Sequence, residues 1–257
     1  MRKMLMFTFI LAFILSVSCF VAIRTGHLGK LQTAKASPGN EHETSAIKVP
    51  VNVRNADSPS TPSPAPEIKS KYLVAIDAGH GGEDPGTSGN GLVEKDIALD
   101  ICQRLDALLK KAGVNTYMVR TGDTYMDHKD RIERANEKNA TLFVSVHCDW
   151  FENSSYGGTQ TLYYPSKDLK AGNLNEIQYA EIIQSELIKV MQTNNRGIMD
   201  RPNLAVLRRA QMPSVLVELG FLSNKNDVAR LGSPEFRQKI AEGFTNGIMK
   251  ALEKVKN

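Results

Sequence analysis

Short apolar runs alternate along this chain with longer segments in which apolar residues recur every three or four positions. The runs have the length and composition of strands, and those that are almost unbroken are typical of strands covered on both faces. They lie at 72–76, 115–119, 141–146, 157–164 and 215–217. The periodic segments predict amphipathic helices, and they lie at 94–112, 130–138, 175–192 and 234–252. This alternation predicts an α/β fold, a single domain whose mainly parallel central sheet carries helices on both faces.

One segment between the third helix and the last strand fits neither pattern. Residues 194–202 are polar and begin with two asparagines, an arginine and a glycine, which are residues typical of turns. We therefore expect a loop there. The strand predicted at 157–164 alternates in polarity, which favours a place near an edge of the sheet.

The N-terminal part differs from the rest of the chain. Arg2 and Lys3 precede an uncharged, mostly apolar run over residues 4–23, which is long enough to cross a bilayer as a helix. This predicts export. Residues 34–36 have the small-x-small form of a signal cleavage site, so a cleaved signal and a retained anchor both stay open for the segment 1–36. The rest of the protein is expected outside the cytoplasm in either case.

A spacer is predicted between that segment and the folded domain. Residues 37–70 are rich in proline and serine and contain no aromatic side chain that could nucleate a core. We expect a disordered linker there, followed by one folded domain over residues 71–257. The chain of 257 residues carries a formal net charge of only +4, without a basic block, which disfavours a nucleic-acid partner.

The predicted strand at 72–76 ends in a glycine-rich loop that carries one histidine. Residues 77–82 have the sequence DAGHGG, so three glycines surround His80, and the loop leads to Glu94, which begins the first helix. Glycines let a loop fold tightly while leaving the imidazole uncovered. A histidine and a carboxylate placed in this way are suited to bind a metal ion.

A second histidine, His147, follows the apolar run at 141–146. In parallel sheets of α/β proteins, ligands bind beyond the carboxyl ends of the strands. We therefore expect His80 and His147 to project into the same crevice. For either histidine alone, an ordinary hydrogen-bonded loop residue would be the better interpretation.

Glu218 follows the last predicted strand, in an otherwise apolar stretch. An unpaired carboxylate is costly to bury, so we expect a metal-bound water or a nearby cation to compensate its charge. A desolvated carboxylate has a raised pKa, which suits it to transfer protons.

The two cysteines of the predicted domain are not expected to be metal ligands. Cys102 lies among the core positions of the first helix, and Cys148 should face away from His147 because neighbours on an extended chain point to opposite sides. Buried free thiols are favoured, although a disulfide between them stays open.

Three motifs together resemble a known family. They are DAGHGG at 77–82 with Glu94, SVH at 145–147, and VELGFLSN at 217–224. Their order and separations are similar to those of the zinc-dependent N-acetylmuramoyl-L-alanine amidases of bacterial cell walls, and the resemblance covers residues 71–255.

The resemblance implies a twisted central sheet, one zinc ion, and hydrolysis of the amide between N-acetylmuramic acid and the L-alanine of the peptidoglycan stem peptide. His80, Glu94 and His147 match the zinc ligands of the family, and Glu218 matches its catalytic glutamate. Two imidazoles and one carboxylate leave a fourth zinc position for water, as in hydrolytic sites. Asp149 stands where the family commonly has asparagine.

The resemblance also bears on access to the site and on partners. No long helical insert of the sort that blocks some relatives is evident between His147 and Asn175, so we expect a constitutively open site. Peptidoglycan is the expected partner, together with the membrane if the N-terminal segment is retained, whereas the need for an activator protein stays open. A catalytically dead wall-binding module and a zinc peptidase that cuts within the stem peptide are the two rival functions.

Overall fold

The computed structural model describes residues 71–165 and 169–256. The N-terminal segment and the proline-rich linker, with the alternatives predicted for them, lie outside these residues. Among the residues described, no helix has both the length and the apolar character that a membrane span needs.

Six strands form the central sheet, in the order β4, β1, β5, β10, β6, β9. They are β1 Leu73–Ala78, β4 Asn115–Met118, β5 Leu142–Asp149, β6 Thr159–Tyr163, β9 Asn195–Asp200 and β10 Ser214–Phe221. The pairs β1 with β4, β1 with β5, β5 with β10 and β6 with β9 are parallel, whereas β6 is antiparallel to β10. The prediction of a mainly parallel sheet is confirmed.

Two further pairs of strands are very short, β2 Ser88–Gly89 with β3 Leu92–Val93, and β7 Lys170–Ala171 with β8 Leu174–Asn175. The helices are α1 Glu94–Lys111, α2 His128–Glu137, α3 Glu176–Met191, α4 Ala205–Arg208, α5 Lys225–Leu231 and α6 Pro234–Lys256.

Helices cover both faces of the sheet, as the apolar periodicity predicted. One core cluster joins the face of β1 that carries Val74 and Ile76 to α1, α3 and α6, and the other joins the face that carries Ala75 to α2 and α4. Each large apolar side chain buried in this way stabilises the fold by about 1.5–3 kcal/mol. Because β5 and β10 lie at the centre and are covered on both sides, the residues at their carboxyl ends hold fixed positions.

Two predictions about local structure were wrong. Residues 194–202 are not a loop throughout, because β9 runs from Asn195 to Asp200 as an edge strand. An edge strand is paired on one side only, so it can form without the apolar run that marks a buried strand. Gly197, with φ 71°, accommodates the shift in register against β6. Glu218 does not follow the last strand but lies within β10, and its register partner His147 likewise lies within β5 rather than beyond its end.

Candidate active site

His80 lies just beyond the carboxyl end of β1 and has the unusual φ of 59° for a residue with a side chain. Its neighbours in the loop must be small. A Cβ atom at Gly79 would collide with the ring of His147, and one at Gly86 would lie 2.5 Å from Oε2 of Glu94 and 2.6 Å from Cδ2 of His80. The glycines that the sequence shows around His80 therefore let the two histidines and the glutamate approach one another.

His80, Glu94 and His147 meet at one point at the carboxyl edge of the sheet. Nε2 of His80 lies 3.1 Å and Nδ1 of His147 lies 2.9 Å from Oε1 of Glu94, and one ligand atom from each residue falls within 4.8 Å of the other two. The structure thus brings together the three residues that the sequence predicted to converge.

The donor set and its spacing fit a zinc ion. Ligand atoms about 2.0–2.1 Å from a tetrahedral zinc lie roughly 3.3 Å from one another, so small shifts of the three donors would bring them to that spacing. The carboxylate of Glu94 is held on both sides, because Oε1 accepts a hydrogen bond from Cys148 N at 3.0 Å and Oε2 accepts one from Thr87 N at 2.8 Å.

Asp84 orients the first histidine and was missed at the sequence level. Its Oδ2 lies 2.7 Å from Nδ1 of His80, which leaves Nε2 of that ring to face Glu94. Its Oδ1 accepts a hydrogen bond from Gly86 N at 3.0 Å. Histidine ligands of metals are commonly oriented by such a carboxylate. A carboxylate four residues after a loop histidine was the signal that could have found it.

Charges at the cluster shift the pKa values of the His80 imidazole and of the Glu94 carboxyl. Burial alone would lower the pKa of His80, but hydrogen bonds and charge interactions with Glu94 and Asp84 outweigh it and raise that pKa. Burial alone would raise the pKa of Glu94, but hydrogen bonds from His147 and His80 hold it well below its ordinary value. The cluster therefore keeps a negatively charged oxygen between two imidazoles, where a cation would be stabilised.

Glu218 faces the same cavity without a partner for one of its oxygens. Within the described residues, the buried Oε2 of Glu218 has no hydrogen-bond partner. Burial, followed by the charges of Glu94 and Asp149, raises the pKa of Glu218 well above its ordinary value. A cavity of about 350 Å³ lies beside it and is also lined by His80 and His147. This carboxyl can therefore gain or lose a proton at the cavity.

The two cysteines do not take part in the cluster. Cys102 and Cys148 are free thiols buried in the core that contains α1, α3 and α6, which confirms the sequence-level preference. Burial raises the pKa of both thiols far above its ordinary value, so they stay protonated. In the described part of the interval between His147 and Asn175, the chain forms strands and turns and contains no helix.

A cluster of two histidines and one carboxylate, placed beside a buried glutamate at the edge of an α/β sheet, is the arrangement of hydrolytic metal sites. Residues 74–250 match the model of the Amidase_3 family, described as N-acetylmuramoyl-L-alanine amidase. The chain belongs to this family, so it is a cell-wall amidase, a hydrolase that acts on a non-peptide C–N bond of peptidoglycan.

Individual relatives agree with that assignment. The chain is 42% identical over 175 residues to the uncharacterised protein YqiI of Bacillus subtilis. The aligned stretch covers 68% of this chain and 82% of the relative. It is 36% identical over 181 residues to the sporulation-specific N-acetylmuramoyl-L-alanine amidase of the same organism, which covers 70% of this chain and 68% of that one. The solved structure of the amidase AmiC2 of Nostoc punctiforme matches with 36% identity and a TM-score of 0.65, covering 71% of this chain and 98% of that one.

Proposed function

We propose that this protein is a zinc-dependent peptidoglycan hydrolase that cleaves the amide between N-acetylmuramic acid and the L-alanine of the stem peptide. The observation that carries the proposal is the convergence of His80, Glu94 and His147 beside Glu218. The family assignment gives an amidase that acts on peptidoglycan, and the complete set of candidate ligands and a candidate base supports zinc-dependent hydrolysis.

His80, Glu94 and His147 would hold one zinc ion, through Nε2, Oε1 and Nδ1 respectively. Zinc, when bound, supplies Lewis-acid chemistry: it polarises the amide carbonyl and makes water a better nucleophile at neutral pH. Asp84 keeps His80 in the tautomer whose Nε2 is free to bind, because its carboxylate accepts a hydrogen bond from Nδ1–H.

Glu218 is the group that moves protons. It takes the proton of the attacking water and delivers it to the nitrogen of the departing L-alanine. Glu218 lines the cavity, and within the described part of the chain no hydrogen bond ties up its Oε2, which supports this exchange. Burial and the nearby carboxylates raise its pKa, and a cation at the cluster would bring the pKa back toward the working pH.

The substrate would enter the cavity beside these groups. Its lining combines the apolar side chains of Leu204, Val206 and Leu216 with polar ones that include His80, His147 and Glu218. An amide flanked by the methyl groups of a lactyl unit and of alanine matches such a mixed lining. The described stretch after β5 places no helix over the cavity, which supports an open site.

The organisation of the whole chain follows from the same proposal. Residues 1–36 would direct the protein across the cytoplasmic membrane as a cleaved signal or retained anchor, residues 37–70 would be a linker, and residues 71–257 would form the amidase domain. The enzyme would be secreted to the cell wall or held at the outer face of the membrane. Cell-wall amidases as relatives support this location.

Metal analysis combined with digestion of purified peptidoglycan tests the proposal. We expect one zinc per chain, loss of activity on removal of the metal by a chelator, and recovery when zinc is returned. Protein that is free of zinc and digests peptidoglycan equally well with a chelator would contradict it. A zinc-bound protein that binds peptidoglycan without releasing peptides would support the rival function, a catalytically dead wall-binding module.

A further inference from the structure

Two buried arginines converge on the three consecutive carbonyl groups that carry the chain from β1 into the His80 loop. Arg120, which follows β4, is 3% exposed, and Arg131 of α2 is 2% exposed. Arg120 donates from Nε to Ala78 O at 2.8 Å and from Nη2 to Gly79 O at 2.8 Å. Arg131 donates from Nη1 to Ala78 O at 2.7 Å and from Nη2 to His80 O at 2.6 Å.

The remaining donors tie this run of carbonyls to the surrounding elements. Arg120 also donates to Lys95 O of α1 at 2.8 Å and to Gly122 O at 3.0 Å. Arg131 donates to Met126 O at 3.0 Å and pairs with Oδ1 of Asp77 at 2.9 Å. A buried guanidinium is costly unless its N–H groups donate hydrogen bonds. Here two guanidinium groups, those of Arg120 and Arg131, are placed against one short stretch of backbone.

These contacts fix the backbone on both sides of His80. The carbonyl of Gly79 belongs to the peptide group before His80, and the carbonyl of His80 belongs to the peptide group after it. When both peptide planes are held, φ and ψ of the residue between them are held as well. His80 is thereby kept in the left-handed region, with φ 59°, which a residue with a side chain adopts only when its surroundings enforce it.

The direction of the imidazole depends on that backbone conformation. The bond from Cα to Cβ of His80 is set by φ and ψ, and Nε2 of the ring lies 3.1 Å from Glu94. A relaxed backbone at His80 would swing the ring away from Glu94 and His147. The ion pair of Arg131 with Asp77 extends the same support to β5, because Oδ2 of Asp77 accepts a hydrogen bond from Ser145 at 2.7 Å.

We propose that Arg120 and Arg131 are positioning residues that hold His80 in its metal-binding conformation before any metal arrives. The inference rests on the metal site of the proposed function. The planar guanidinium is essential, since one lysine ammonium cannot reach several carbonyl groups in different directions. Neither arginine belongs to the metal cluster, and although Arg131 also borders the cavity, the effect on zinc binding proposed for both acts through the backbone of the loop.

Zinc affinity of the Arg120→Lys and Arg131→Lys variants tests this inference. Zinc dissociation constants are measured on the metal-free proteins by competition with a chromophoric chelator, at a temperature where each variant is folded. Loss of support around a metal ligand typically weakens binding about 10–100-fold, and we expect a weakening in that range for both variants. Cobalt bound in place of zinc should show an altered visible spectrum, which reports a changed ligand geometry.

A control variant separates positioning from general loss of stability. Ile248→Ala removes a buried side chain of α6, remote from the loop, and lowers the stability of the fold without touching the arginines. It should bind zinc like the wild type and give the same cobalt spectrum. Zinc affinity and cobalt spectra of both lysine variants that equal those of the wild type would overturn the inference, while the proposed function would stand. Failure of the wild type itself to bind zinc would overturn the proposed function and this inference together.

The wild-type protein supplies a second measurement in case the lysine variants do not fold. In the zinc-free protein, the Nε–H group of Arg120 and the Nη–H groups of Arg131, which donate to the loop carbonyls, should give nuclear magnetic resonance signals that exchange slowly with water, and these signals should persist when zinc is added. Signals that become protected only after zinc binds would show that the metal orders the loop, and they would overturn the inference.

Discussion

Replacement of Glu218 by glutamine separates proton transfer from metal binding. Glutamine has the same size as glutamate but cannot accept the proton of water, and Glu218 is not among the three residues that cluster as candidate ligands. General acid–base catalysis contributes about 10²–10⁴-fold, so we expect kcat to fall by that factor, or about 3–5 kcal/mol in activation free energy. Zinc content should stay at one ion per chain.

The same substitution should not weaken the metal-free fold at neutral pH. The folded protein raises the pKa of Glu218 through burial and the nearby carboxylates. Because the folded state binds the proton of this carboxyl more tightly than the unfolded state does, the group contributes to the free energy of unfolding at pH values below its ordinary pKa. That contribution is lost as the pH rises through the raised pKa, where the carboxyl must become charged in a buried place. Glu218→Gln removes the penalty of the charged form, so its Tm at pH 7 should equal or exceed that of the wild type. The difference should shrink toward pH 4.

Three measurements on one preparation check this reasoning. They are the rate of amine release from purified peptidoglycan, the zinc content, and thermal unfolding of the metal-free protein at pH 4 and pH 7. Glu152→Gln is the matched control, because Glu152 is exposed just beyond β5 and has no place in the cavity, and it should leave all three unchanged. Loss of zinc from Glu218→Gln, or a rate within a factor of three of the wild type, would refute the assignment of Glu218 as the proton-transfer group.

Three further predictions concern the metal cluster. His80→Ala and His147→Ala should each lose zinc and activity together; metal analysis checks this, and a variant that keeps zinc would contradict the ligand assignment. Asp84→Asn should weaken zinc binding about 10–100-fold, since the amide orients His80 less strongly than the carboxylate; an unchanged dissociation constant would argue against that role. Because the metal-free protein raises the pKa of His80 above the ordinary value of about 6.5, protons should already compete with zinc above that pH and more strongly below it. Chelator competition at a series of falling pH values should show progressively weaker binding rather than a constant affinity.

The sequence predicted the layers of the fold because burial imposes a period on each element. Strand β5 is an almost unbroken apolar run since both of its faces are covered, and α1 places apolar residues at helical spacing since one side faces the core. The convergence of His80 and His147 was predictable as well. Each leaves the same edge of a parallel sheet, so topology brings together residues that are distant in sequence.

The parts that were missed depend on tertiary partners. Strand β9 exists because β6 offers it a hydrogen-bonding edge, and its own residues are those of a turn. Arg120 and Arg131 do not stand out in the sequence, since nothing in their neighbourhood along the chain shows that both would be buried against the carbonyls of one loop. Hydrogen bonds between distant segments leave no periodic trace in a sequence.

The nature of the bond that is broken tests the central claim most directly. Cleavage at the amide between N-acetylmuramic acid and L-alanine frees intact stem peptides, each with a new amino terminus on alanine, and produces no new reducing ends on the glycan. A peptidase acting within the stem would expose a different residue, and a glycosidase would raise the number of reducing ends. Labelling of new amino termini after digestion of purified peptidoglycan should therefore return alanine as the main product. Any other residue as the main product would contradict the account, even if zinc and all four named side chains were confirmed.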